Sequence, residues 1–311
     1  MKDELGDRMK GFYENRYRIK LPRRTYTIIR IDGKAFHTYT RGLERPFDQG
    51  FIEDMNKTAA YLCKNITGTK LAYVQSDEIS IIITDFDSRT TQAWFDNNLQ
   101  KMTSVAASMA TNEFNRRRYS RALRAAAIPD NATMKPSFNW TEIEEILANG
   151  AEFDSRVFQI HSEIEVENYL ISRQQDATRN SISSTAQSLY SHKELNGKKS
   201  DEMQEMIFKK GINWDEYPPR KKRGAIIKKN TIKHITDFEM TSVSAMPDGS
   251  IEPNGLIKSS YTRTYWEEDQ ETPVFTKDRA YLEGLLNPEK DMVDDNDKLY
   301  GSFNSNDFKL S

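Results

Sequence analysis

Cysteine is almost missing from this chain: Cys63 is the only one in 311 residues, which excludes an intrachain disulfide and any zinc site built from several cysteines. Carboxylate sites for hard cations are the metal chemistry left open. A charge excess of one sign is missing too. Lys and Arg total 45 against 47 Asp and Glu, a net charge of −2, so there is no bulk basic field and any nucleic-acid contact must be a local patch. No apolar run approaches the roughly 18 residues that span a bilayer, and the opening MKDELGDRMKGFYENRYRIK has no apolar signal core. A cytoplasmic protein with no membrane partner is expected. Neither the P-loop pattern, nor G-x-G-x-x-G, nor H-E-x-x-H occurs, which argues against a P-loop ATPase and a Rossmann dehydrogenase. What is there is 37% hydrophobic and 11% aromatic residues, enough to build the core of one large domain or two.

The patterning then orders the elements. The stretch from Thr25 to Asp32, TYTIIRID, is β-branched and ends at Asp32-Gly33, as a strand running into a turn does. Ile52, Met55, Ala59, Leu62, Cys63 and Ile66 recur at helical spacing, with Pro46 and Asp48 as a start and Gly68 as a stop. Cys63 lies on that apolar face and belongs to the core. Leu71 to Val74 and Ile79 to Phe86 read as strands of a hairpin joined by Gln75-Ser76-Asp77-Glu78. A second helix is predicted from about Thr91 to Phe114, and a fourth strand from Arg156 to Ile160. Strand, helix, strand, strand, helix, strand is the split βαβ, ferredoxin-like unit of polymerase palms and nucleotidyl cyclases. The fold class expected is therefore α+β: a palm-like antiparallel sheet with flanking helices and a helical C-terminal extension.

Three regions follow: 1–165 as the palm-like catalytic part, 166–235 as a helical and basic part, and 236–311 as an extension or a continuation of the same domain. Between Asn115 and Phe153 a basic run (Arg116, Arg117, Arg118, Arg121, Arg124) precedes a loop with proline and asparagine. KKGINWDEYPPRKKRGAIIKK, from Lys209 to Lys229, carries eight basic residues and two prolines, which suggests a surface loop leading into a hairpin. The pattern weakens beyond Thr236, and NPEKDMVDDNDK near the end is acidic and solvated.

Two carboxylates carry the chemistry in this reading. Asp32 ends the first strand and Asp77 sits in the hairpin turn; the split βαβ order makes those strands neighbours, so both side chains can share a metal pair. Two Mg²⁺ ions held there would activate a hydroxyl and neutralise a leaving pyrophosphate. Asp-Gly and Ser-Asp-Glu are also ordinary turn sequences. Asp32-Gly33-Lys34-Ala35-Phe36-His37 adds a glycine turn with nearby donors, able to cradle phosphate oxygens.

Arg30 to His37, then Arg45-Pro46-Phe47-Asp48, then Tyr73 to Ser80 (YVQSDEIS), resemble the tRNA(His) guanylyltransferase family and its 3′-5′ polymerase relatives. The resemblance extends to Lys101 in KMTSVAAS, to Phe153-Asp154-Ser155-Arg156 and to the segment Ser172 to Asn180, covering about residues 10–230. It implies a palm fold and two Mg²⁺ held by Asp32, Asp77 and the Gly33 carbonyl, with Glu78 important for activity. It also implies one nucleotide on the backbone of Gly33, Lys34, Ala35, Phe36 and His37. A second phosphate chain would lie near Ser76, Arg45 and Lys101, with Asp48 alongside; the family usually has lysine where Arg45 stands, a change of donor geometry. ATP or GTP would serve as activating and added nucleotide, tRNA as the other substrate, and the assembly would be a homotetramer. Arg156, Arg179, Asn180, Lys221 and Lys222 are the candidate RNA contacts. Where the eukaryotic enzymes carry His-Ile-Asn-Asn-Leu-Tyr-Asn, this chain has Thr178 to Ser184 and keeps only Asn180. That departure resembles the bacterial, archaeal and viral members, which favour templated 5′-end addition and tRNA repair over tRNA(His)-specific addition. Two other readings stay open on strand order alone: a palm-fold nucleotide cyclase and a non-catalytic RNA-binding module.

Overall fold

The computed structural model describes residues 4–126, 150–238, 242–245, 251–254 and 257–287. Helix α1 (Glu4–Phe12) stands apart from the core and buries no residue. Strand β1 (Tyr26–Gly33), the short helix α2 (Phe36–Tyr39) and helix α3 (Gln49–Asn65) follow. Asp48 caps α3 by accepting the Phe51 N–H at 2.6 Å, the role a short carboxylate plays at a helix start. The chain leaves α3 through Gly68, whose φ of +82° suits only glycine and whose added Cβ would meet the Thr84 carbonyl oxygen at 2.1 Å. The hairpin β2 (Thr69–Gln75) and β3 (Glu78–Ile83) comes next, then α4 (Leu99–Ala126) and β4 (Phe153–Ile160). Further on are α5 (Glu163–Leu189), α6 (His192–Leu195), α7 (Ser200–Lys209), α8 (Pro219–Arg223), β5 (Ala225–Phe238), β6 (Ser242–Ala245), β7 (Ile251–Asn254), β8 (Ile257–Glu268) and α9 (Arg279–Leu286).

The expected antiparallel sheet with flanking helices is what forms. Its order is β4-β1-β3-β2-β5-β8, and each neighbouring pair is antiparallel. The period-2 pattern of β1 explains the layering. Ile29 and Ile31 face a core shared with Met55, Leu62, Met102 and Phe114 of α3 and α4. Tyr26 and Ile28 face the opposite core, with Val166 and Leu170 of α5 and Leu282 of α9. Ile28, Ile29, Ile31, Ile79, Ile81 and Ile82 are all fully buried, each stabilising by roughly 2 kcal/mol relative to exposure. Cys63 is buried in the first of these cores.

Several boundaries differ from the pattern. Helix α4 starts only at Leu99, after a 3₁₀ turn (Trp94–Asn97), and it continues past the expected end near Phe114 through the arginine run to Ala126. The loop that follows it, with its proline and asparagines, lies outside the described residues, as does NPEKDMVDDNDK beyond Asn287. Strand β5 crosses position 235 without a break and pairs with β2 at one end and β8 along its length.

Candidate functional site

Where the central strands end, acidic residues converge. Asp32 lies opposite Glu78 of β3 and opposite Asp154 of β4, and Asp77 occupies the two-residue turn between β2 and β3. The Gly33 N–H donates to the Asp77 carbonyl at 3.2 Å, so the backbone ties the end of β1 to that turn. Glycine is required there because a Cβ on residue 33 would stand 2.2 Å from the Phe36 ring, and Phe36 is the buried plug that ends the strand-to-helix turn. Ser76 takes φ +47° to close the hairpin.

Both aspartate carboxyls are raised above their ordinary value. Burial raises the Asp32 carboxyl, the Glu78 charge raises it further, and Arg30 only partly offsets this. Burial likewise raises Asp77; a Ser76 hydrogen bond opposes it, and the charges of Asp32 and Glu78 add to it. The Arg30 and Arg156 guanidiniums each stay 3.8 Å from Asp32. Glu78 differs sharply. It is 5% exposed and accepts Arg173 Nε at 2.8 Å and Arg173 Nη2 at 2.5 Å, while Arg30 Nη2 lies 2.7 Å away. Its charge is therefore satisfied within the fold.

The donor set suits a hard cation. Among the described residues no three His, Cys, Asp or Glu side chains cluster closely enough to hold a metal by themselves. Two carboxylates completed by backbone and phosphate oxygens is the way Mg²⁺ is usually bound, since it rarely takes an all-protein cage.

Beside Asp77 opens a cleft of about 490 Å³. Of the residues singled out in the sequence, it gathers His37, Arg45, Asp48, Ser76, Asp77, Asn180 and Lys221. The amides of Gly33 and Lys34 are engaged with the Asp77 and Glu152 carbonyls, which leaves those of Ala35, Phe36 and His37 without an acceptor among the described residues. Lys34 points elsewhere, into an ion pair with Glu152 (2.5 Å) beside a second, shallower groove. Lys101 does not line the cleft: it sits on the first turn of α4, 5.2 Å from the Phe95 ring centroid. Arg156 lies by Asp32 and Asp154, 3.6 Å from the latter, and Arg179 is exposed and pairs with Asp176 at 3.1 Å. Lys222 is buried, its ammonium donating to the Asp215 carbonyl and stacked over the Trp214 ring, so it serves the fold. The arginine run of α4 is largely neutralised: Arg116 and Arg117 pair with Glu113, and Arg118 and Arg121 with Asp54.

Residues not singled out in the sequence complete the cleft, notably Ser183, Ser184 and Gln187, together with Arg220 of the basic segment Lys209 to Lys229. With Asn180, the three on α5 recur at i, i+3, i+4 and i+7, a polar stripe on one helical face. That spacing is a signal carried by the sequence itself. The arginines that hold Glu78 had no such signal, because Arg173 is 95 positions away.

The site is thus the acidic lip of an antiparallel sheet in an α+β protein, beside a cleft to which Arg45, Arg220 and Lys221 bring positive charge. The family model described as tRNAHis guanylyltransferase (Thg1) matches residues 6–161, and the chain belongs to that family, whose members are nucleotidyltransferases that process tRNA. The uncharacterized protein R259 of Acanthamoeba polyphaga mimivirus is 30% identical over 78% of this chain and 82% of its own length. A bacterial tRNA(His) guanylyltransferase (Thg1)-like protein in complex with ATP is similar in structure, with TM-score 0.68 and 40% identity over 91% of this chain and 99% of its own. A bacterial Thg1-like protein in complex with GTP gives TM-score 0.64 and 41% identity over the same shares, 91% and 99%. Among the described residues no helix is long and apolar enough to cross a membrane.

Proposed function

We propose that this chain is a Mg²⁺-dependent 3′-5′ nucleotidyltransferase with a palm-like catalytic unit, adding nucleotides to the 5′ end of tRNA in G addition to tRNA(His), in template-directed 5′-end repair, or in both. The observation that carries the reading is the pair Asp32 and Asp77, tied together through the Gly33 amide and with both carboxyls raised by burial and neighbouring acids, beside a cleft that also holds Arg45, Arg220 and Lys221. The lateral order β4-β1-β3-β2 supports the palm-like description.

Asp32 and Asp77 are the residues that would hold Mg²⁺, with the Gly33 carbonyl. Bound there, the metal pair makes a ribose hydroxyl more acidic and neutralises charge on the departing phosphate. The chain's own groups do the rest. The amides of Ala35, Phe36 and His37 present donors to one phosphate chain. Arg45, Arg220 and Lys221 supply positive charge to a second, with Ser76 as a hydroxyl donor. Fixed cations and dipoles of this kind stabilise phosphoryl transfer because they are in place before charge develops. Glu78, held by two arginines, fixes the turn that carries Asp77. Two anion sites around one acidic pair fit a reaction that joins a triphosphate to an activated RNA end.

The test is extension of a tRNA lacking its 5′-terminal nucleotide by purified protein with ATP, GTP and Mg²⁺. A product one nucleotide longer, lost in Asp77→Ala, is expected. Cyclic nucleotide formed without RNA, or no extension by the wild type, would refute the reading.

A further inference from the structure

The first twenty residues hold most of the large hydrophobic side chains that stand exposed among the described residues. Of the nine large hydrophobic side chains standing exposed among the described residues, six are Leu5, Met9, Phe12, Tyr13, Tyr17 and Ile19. Tyr17 is 73% exposed, Tyr13 62% and Phe12 60%. Helix α1, which carries the first three of the six, buries nothing, and a nine-residue helix is too short to be stable on propensity alone. Exposed aromatic surface on this scale marks a contact site.

Beyond the acids Glu4 and Asp7 of the first turn of α1, the segment is basic. From Arg8 to Arg24 there are seven cations, Arg8, Lys10, Arg16, Arg18, Lys20, Arg23 and Arg24, against the single acid Glu14. Lys20 and Arg23 pair with Asp96 and Asp85, and Arg24 donates to the Ser88 and Arg89 carbonyls. Arg8, Lys10, Arg16 and Arg18 form no ion pair and no side-chain hydrogen bond among the described residues, though the Arg18 charge helps to lower the Asp96 carboxyl. They differ in this from the α4 arginines, whose charge Glu113 and Asp54 already answer. The segment is also anchored: Leu99 N–H donates to the Ile19 carbonyl at 3.0 Å and Leu21 N–H to the Asn97 carbonyl at 2.9 Å. That puts Arg18 and Ile19 next to the loop bearing Phe95, which is 36% exposed, with Lys101 over its ring.

We propose that this surface, Phe12, Tyr13 and Tyr17 with Arg8, Lys10, Arg16 and Arg18, binds an unpaired stretch of RNA. Bases stack on the aromatic rings and phosphates pair with the cations, the combination that single-stranded nucleic acid selects. The partner follows from charge complementarity, since cations without an ion-pair partner among the described residues, interleaved with aromatics, call for a polyanion with flat faces. The inference rests on the tRNA-directed reading above and gives that reading a second RNA contact, remote from the acidic lip.

The experiment measures binding of the full chain to labelled tRNA and to a short single-stranded RNA across a salt series, for wild type, Phe12→Ala/Tyr17→Ala and Arg16→Gln/Arg18→Gln. These side chains bury nothing, so both variants should melt as the wild type does. The aromatic pair is expected to raise Kd about tenfold or more. The arginine pair is expected to flatten the slope of log K against log salt by about 1.4, two contacts at about 0.7 each. Transfer rates at saturating RNA should match the wild type. Unchanged Kd and slope in both variants overturn the proposal; so does unchanged RNA binding with a loss of mass in sedimentation, which would assign the surface to a second copy of the chain. A wild type that binds RNA through these residues yet extends none supports this surface and sinks the nucleotidyl-transfer reading instead.

Discussion

Glu78 follows Asp77 in the chain and faces Asp32 across the sheet, yet its carboxylate is occupied by two guanidiniums. Arg173 grips it with two nitrogens from α5, and Arg30 reaches it from β1. Because the same helix supplies Asn180, Ser183, Ser184 and Gln187 to the cleft, Arg173 sets where that polar stripe stands relative to the turn carrying Asp77. Replacing Arg173 by Gln leaves a buried carboxylate with one guanidinium in place of two, beside the Ser80 hydroxyl. The expected cost is about 2 kcal/mol in urea unfolding, the scale of a lost hydrogen bond to a charged group. Arg173→Lys should recover only part of this, since an ammonium cannot reproduce the forked pair. A stability equal to the wild type's in Arg173→Gln would show that Glu78 does not depend on α5.

Helices α3 and α4 pack side by side over one face of the sheet, and their polar edges interlock through Asp54 and Glu53 with Arg118 and Arg121. Glu113 adds a clasp within α4. Burial works to raise its carboxyl, but hydrogen bonds and charge from Arg116 and Arg117 prevail and hold it below the ordinary glutamate value of 4.5. The sign follows directly: a carboxyl depressed in the folded state contributes stability above the unfolded value, and that contribution is lost as pH falls through the folded one. Urea midpoints at pH 7 and below pH 4.5 should therefore differ less in Glu113→Gln than in the wild type. An equal or larger acid loss in the variant would contradict the assignment. This clasp also explains why the arginine run misleads as sequence. Five arginines within nine positions, from Arg116 to Arg124, read as uncompensated positive charge, but the acids Asp54 and Glu53 that answer two of them sit on another helix, some 64 to 68 positions away.

At the scale of the whole molecule, what was legible is what local chemistry decides. The β-branched run into Asp32-Gly33, the hairpin around Ser76-Asp77 and the Asp48 cap each need only a few adjacent residues, and each stands where the pattern put it. Long-range pairing was not legible. Nothing in AIIKK announces that β5 extends the sheet beyond β2, nor that α9 returns to cover the face holding Ile28. The site divides along the same line: Asp32, Gly33 and Asp77 meet because the β1–β3 register brings them together, while Lys222, chosen for its charge, is buried against Trp214. The central claim is that Asp32 and Asp77 act as one unit at the lip of the sheet. A double-mutant cycle on nucleotide addition, with Asp32→Ala, Asp77→Ala and both together, tests it most directly. Each single change should lower kcat/KM by about a hundredfold or more, and the double should be no worse than the weaker single, as for groups that function jointly. Losses that multiply, or a single variant within tenfold of the wild type, would contradict it.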